Sequence, residues 1–167
     1  KPDWKEGLYF GEEHSDKHPL VLTQTPLHGR NLFPPLPGFR ETVLSYLQEM
    51  TALSHCLMAG LALSLGLPEA YFYEHFTKDP TLLFRIFHYQ PPPPDREVWG
   101  VAEHTDYGLL TILKQDALGG LEVKSKTGWV TAPPIPNSYV CNIGDMLDLL
   151  TKGLYRSTPH RVQNRTQ

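Results

Sequence analysis

The period of the apolar residues changes at Leu82, and no other feature narrows the fold as much. From 39 to 65, apolar side chains recur every three or four residues: Val43, Leu44, Leu47, Met50, Leu53, Leu57, Leu61, Leu65. That spacing lays one stripe along a helix, and Gly66 followed by Pro68 ends it. A second, shorter helix is predicted over 69–76, with Asp79-Pro80 as a break. Beyond Leu82 the apolar residues come in short runs rich in β-branched and aromatic side chains, separated by Gly, Pro and Asn. Strands are predicted over 82–89, 98–104, 109–114, 121–123, 129–132, 139–143, 146–150 and 157–162. Sixteen Pro and 13 Gly in 167 residues fit that frequency of turns. The pattern is mainly β with a helical flank, as in a sandwich or jelly roll.

Within this β region, His104-Thr105-Asp106 places an imidazole and a carboxylate two residues apart. Side chains alternate faces along a strand, so the pair would point to one side. His160, in Ser157-Thr158-Pro159-His160-Arg161-Val162, is a candidate third partner arriving on another strand. Two His and one carboxylate form the facial triad of non-haem Fe(II) sites, which leaves positions open for oxygen and a co-substrate. By itself a His-x-Asp pair is equally a polar pair in a surface loop, because the chain holds eight His.

The words around the pair carry a resemblance. His104 to Thr111, Gly119-Gly120-Leu121-Glu122-Val123, Gly128-Trp129-Val130, Asn142-Ile143-Gly144-Asp145-Met146-Leu147 and Tyr155 to Val162 occur in this order. Together with Phe84-Arg85-Ile86-Phe87-His88-Tyr89 upstream, they resemble the isopenicillin N synthase-like branch of the Fe(II)/2-oxoglutarate-dependent dioxygenases. The resemblance implies a double-stranded β-helix (jelly-roll) core. It assigns His104, Asp106 and His160 as ligands of Fe(II), with 2-oxoglutarate as co-substrate. It also places Tyr89 where a strand tyrosine reaches the distal carboxylate of 2-oxoglutarate, beside the alternative of a half-buried barrel-wall aromatic. Phe87 stands where many relatives have an Asn.

The implied layout is a remnant of an N-terminal region (1–32), a helical brace (33–80) and the jelly-roll core (81–167), in one structural domain. An Arg-x-Ser pair that grips the co-substrate carboxylate is expected just past Gln167, so the chain is read as a fragment of a longer protein. Arg161 directly follows a ligand and faces the other way, and Arg165 is too near His160; neither substitutes for that pair. The implied reaction oxidises or hydroxylates a small organic substrate with O2, releasing succinate and CO2. Two alternatives are kept: an Fe(II) oxidase of the same branch that does not use 2-oxoglutarate, and an inactive relative serving as a binding module.

A net charge of −3 leaves no basic footprint for nucleic acid or an anionic membrane. No apolar run is long enough to span a bilayer. Cys56 and Cys141 lie in a helical and a strand pattern, so they are expected as buried free thiols in a reducing, cytoplasmic setting. His14, His18 and His28 share no common face by spacing and are expected as solvated loop histidines. His55 is expected as a satisfied structural histidine. Asn142-Ile143-Gly144-Asp145 reads as a tight turn whose Gly takes an unusual φ. Asp116, Glu122 and Asp148 are isolated carboxylates without a partner for glycosidase-type chemistry.

Overall fold

A computed structural model of the chain describes residues 3–95 and 98–164; Arg165 lies outside them. The elements run β1 (Glu6–Phe10), α1 (Pro19–Leu22), α2 (Phe39–Ser64), a π turn (Tyr73–Thr77), β2 (Phe84–His88), β3 (Trp99–His104), β4 (Leu110–Leu113), β5 (Leu121–Ser125), β6 (Gly128–Thr131), β7 (Val140–Ile143), α3 (Asp145–Leu150) and β8 (His160–Gln163). β1 pairs with β2. The chain divides into two compact units, Leu8–Ile86 and Lys1–Gly7 with Phe87–Gln167.

In the first unit, α2 ends as its sequence predicts. Gly66 takes φ +70, its N–H bonds to Leu63 O, and the Leu67 N–H bonds to Ala62 O. That pair of bonds closes a Schellman cap, which favours glycine because the left-handed conformation crowds a Cβ. Of the stripe chosen from spacing, Val43 is buried as expected and is joined by Met58 and Ala62, whereas the leucines of the stripe are not buried and Leu53 is exposed. Hydrophobicity identifies the candidates, but contact covers only a narrow face of a long helix. The predicted second helix is a brief turn that widens into the π turn, where Thr77 Oγ1 bonds back to Phe72 O. His55 is satisfied as expected, with Nε2 at 2.9 Å from Thr77 O. Phe10 is the aromatic centre of this unit, its ring stacked on Phe33 at 5.1 Å and near Phe39 and Phe84.

The loop histidines differ from expectation. His14 is only 7% exposed and lies between His18 and His28, with ring centroids 4.1 and 5.3 Å away. Local turns, not a shared helix or strand face, bring them together. Near-parallel rings point their in-plane nitrogens sideways, so the stack does not converge on one cation.

Beside it, Asn31 bridges two stretches of chain: its amide accepts from Gly11 N–H and donates to Gly11 O. Glu13 accepts from the Asn31 N–H and amide and pairs with Arg40. Burial pushes the Glu13 carboxyl up, but these donors and Arg40 outweigh it and hold it below its ordinary 4.5. A depressed carboxyl stabilises the fold above its unfolded value and loses that contribution as pH falls through the folded one. Glu13→Gln is therefore expected to cost about 1–2 kcal/mol at pH 7, with a gap to the wild type that narrows as pH falls below 4.5. Urea titrations of both proteins at neutral and acid pH check this; a pH-independent gap would contradict it.

The second unit holds a four-stranded antiparallel sheet in the order β3-β8-β5-β6 and the β4-β7 pair. The last of the described strands, β8, is thus interior to its sheet, between β3 and β5. On β8, Arg161 bonds to Glu122 at 2.7 Å and its guanidinium lies 4.3 and 4.0 Å from the Trp99 and Trp129 rings. It is engaged away from its neighbour His160, as alternation requires.

The predicted strand over 146–150 is instead the helix α3. Leu147 is fully buried while Leu149 is 80% exposed, which strand alternation cannot produce and a helix turn does. Asp145 and Asp148 lie in its first turn, where the helix dipole favours acids. Short apolar runs do not distinguish the two states by period alone. Both cysteines are free, as expected, but exposed rather than buried. Cys56 is off the Met58–Ala62 line of α2, and Cys141 alternates with the inward Asn142 on β7. No helix among the described residues is long and apolar enough to cross a membrane.

Candidate metal centre

Antiparallel pairing puts His104, at the end of β3, directly opposite His160 on β8. Their ring centroids are 4.2 Å apart. Asp106 joins them differently from the sequence expectation. β3 stops at His104, so Asp106 stands on the loop beyond the strand, and alternation is not what aims it. Instead the Asp145 N–H donates to Asp106 O at 2.6 Å, and Thr105 Oγ1 donates to Asp145 Oδ2 at 3.1 Å. Further along the same seam, Gly144 N–H bonds to Leu109 O and Met146 N–H to Gly108 O.

Asp106 Oδ1 lies 3.8 Å from His104 Nε2 and 3.7 Å from His160 Nε2. A cation about 2.1 Å from each N or O donor can be shared by donors no more than about 4.2 Å apart, and the two separations from Asp106 Oδ1 meet that limit. Among the described residues, His104, Asp106 and His160 are the one group of three or more His, Cys, Asp or Glu whose ligand atoms converge, all within 4.8 Å.

The partners of each side chain fit the same use. His104 Nδ1 is 2.8 Å from Ala102 O, and His160 Nδ1 is 3.0 Å from Thr158 O. A carbonyl only accepts, so each Nδ1 carries a proton, which leaves Nε2, the nitrogen turned toward Asp106, as the atom that can bind a metal. Such outer hydrogen bonds fix the tautomer and aim of metal-binding imidazoles. The Ala102 N–H in turn donates to Asp3 Oδ1 at 3.0 Å, and the Trp4 N–H bonds to Trp99 O, so the 3–4 segment lies along β3. Asp106 Oδ2 accepts from Asn142 Nδ2 at 3.3 Å. Two imidazoles with Nε2 turned inward and one carboxylate oxygen facing both of them suit a divalent first-row metal.

Tyr89 is elsewhere on the same strand system. A Cβ on Gly100 would come within 2.7 Å of its ring, so the Tyr89 ring lies on the bare backbone of β3. Gly100 precedes His104 by about 13 Å of extended chain. The isolated carboxylates have structural partners: Asp116 caps the Leu118 and Gly119 N–H groups, Asp148 accepts from Ser157 N–H, and Glu122 pairs with Arg161.

The segment missed by the sequence reading is 142–145. It is not a tight turn with an unusual φ: Asn142 and Ile143 lie on β7, and Gly144 has φ −92. Gly144 is required by proximity, because a Cβ there would overlap Gly108 O. A glycine between a strand and an acid-led helix was the available signal of close approach.

A scaffold that converges two imidazoles and a carboxylate in this way has the donor set of a facial-triad metal site. Residues 80–167 match the 2OG-Fe(II) oxygenase superfamily, and the chain belongs to that family. It is 53% identical to a probable iron/ascorbate oxidoreductase of Dictyostelium discoideum, over 96% of this chain and 51% of the relative. It is 36% identical to a 1-aminocyclopropane-1-carboxylate oxidase of Dictyostelium mucoroides, over 96% of this chain and 52% of that protein. The crystal structure of a full-length Neurospora crassa protein in complex with alpha-KG superposes with a TM-score of 0.84 at 31% identity, covering 100% of this chain and 51% of that one. The mainly β, double-stranded β-helix class read from the sequence is therefore borne out. The chain spans about half the length of the curated relatives it matches.

Proposed function

We propose that this chain carries the metal-binding core of an Fe(II)- and 2-oxoglutarate-dependent oxygenase that hydroxylates or otherwise oxidises a small organic molecule. The convergence of His104, Asp106 and His160, with both Nε2 atoms and one carboxylate oxygen turned inward, is the observation that carries the reading. These three residues hold the iron. Bound there together with 2-oxoglutarate, the metal would supply the activation of O2 that yields succinate, CO2 and an oxidised substrate.

What the chain's own residues contribute is placement. Ala102 O and Thr158 O hold the Nδ1 protons and the ring orientations, so that neither ring has to turn to present Nε2 to a metal. The Asp145 N–H and Thr105 hold the loop that carries the carboxylate. His160 is buried on an interior strand, which excludes water from one side of the site. We assign Tyr89 to the distal carboxylate of 2-oxoglutarate, supported by its seat on Gly100 in the ligand-bearing strand. The two free cysteines favour a cytoplasmic protein, and the charge of −3 favours neither nucleic-acid nor membrane partners.

An anaerobic titration with Fe(II) and 2-oxoglutarate tests this, on the chain and on a version extended past Gln167. A weak visible charge-transfer band that needs both additions is expected in the extended version, shifted to higher 2-oxoglutarate concentration by Tyr89→Phe. The similarity to a 1-aminocyclopropane-1-carboxylate oxidase gives the oxidase reading its own support. Iron bound without the band, and no conversion of 2-oxoglutarate to succinate, would favour that reading.

A further inference from the structure

We propose that Asn142 is a positioning residue that keeps Asp106 a one-oxygen ligand, preserving the open iron positions that 2-oxoglutarate and O2 require. This rests on the metal reading above. The two oxygens of Asp106 have different surroundings. Oδ1 faces both imidazole Nε2 atoms at 3.8 and 3.7 Å, whereas Oδ2 accepts from Asn142 Nδ2 at 3.3 Å. A carboxylate only accepts, so the nitrogen of the Asn142 amide must be the atom that faces it.

Asn142 is rigidly placed, because it lies inside the β4-β7 ladder opposite Thr111. The backbone of Asp106 is held separately, through the Asp145 N–H. Removing the amide would therefore leave the loop in position and free the one remaining motion, rotation of the carboxylate about its soft terminal torsion. Carboxylates bind metals through one oxygen or through both. In a six-coordinate site with two imidazoles, binding through one oxygen leaves three positions; binding through both leaves two. A 2-oxoglutarate chelate would fill those two and leave none for O2. A neutral amide suits the task, since it occupies Oδ2 without supplying a positive charge to compete with the metal for the carboxylate.

The test is the infrared difference spectrum between metal-free and Mn(II)-loaded protein carrying 13C-labelled aspartate. The separation of the two carboxylate stretches is wider than that of free carboxylate for one-oxygen binding and narrower for two-oxygen binding. The wild type is expected to show the wide separation. Asn142→Leu, close in size but without a donor, is expected to show the narrow one at unchanged metal stoichiometry. Asn142→Ser, smaller and polar, takes its place if the leucine variant does not fold. A narrow separation in the wild type, or a wide one retained by the variant, overturns the role of Asn142 and leaves the iron site standing. Failure of the wild type to take up metal overturns both together.

Discussion

Asp106→Ala is expected to abolish stoichiometric Fe(II) binding while leaving the fold in place. The substitution removes the only anionic donor of the convergent group and the atom that both Nε2 positions face. Disturbing an outer hydrogen bond of a metal ligand typically costs about 10–100-fold in affinity, so deletion of the ligand itself should cost more than about 100-fold. Little structural loss is expected, because the loop is tied by the main chain of Asp106, whose carbonyl accepts from the Asp145 N–H in any variant. His104→Ala should behave alike. Equilibrium dialysis against Fe(II) under anaerobic conditions, with thermal melts of the metal-free proteins, measures both quantities. Full iron retained by both variants would remove the metal assignment.

Gly144→Ala should produce the largest stability change among single-methyl additions around the site. The conformation is not the obstacle, since φ is −92. The obstacle is space: the new Cβ would overlap Gly108 O and lie 2.5 Å from Gly108 C and 3.1 Å from Gly108 N. All three are backbone atoms, so no side chain can swing aside and the loop carrying Asp106 must move. A cost of about 3 kcal/mol is expected, the upper end for overpacking, together with weakened metal binding. Gly60→Ala is the control. It lies within α2 with open space around its Cβ position, and replacing a helical glycine there should stabilise by about 0.5–1 kcal/mol. Urea denaturation of the three proteins distinguishes the cases. Equal midpoints for Gly144→Ala and the wild type would show that the close approach of 144 to 108 does not exist in solution.

The sequence was most informative where residue type and local period carry the physics. The switch from helical spacing to short strands separated α2 from the β region, and Gly66 with Pro68 marked the end of α2 because a left-handed cap favours glycine. His104, Asp106 and His160 could be singled out as candidates, and the structure brings their ligand atoms together, because a facial metal site uses those side chains and few others. Where period was ambiguous, the reading failed: the apolar run 146–150 fits a strand or a helix equally, and burial of Leu147 against exposure of Leu149 decided it. The stacked His14, His18 and His28 were missed because irregular turns, which have no period, bring them together.

The amino-acid sequence by itself thus determined which atoms are available to a metal, through the chemistry of three side chains. The tertiary structure alone decided how those atoms are aimed. His160 reaches His104 only through the register of β8 against β3, and Asp106 is turned by Asn142 and Asp145, 36 and 39 residues away along the chain. Hydrogen bonds between groups so distant in sequence depend on strand pairing and on the close approach at Gly144. Those are properties of packing, and local patterns of residues do not encode them.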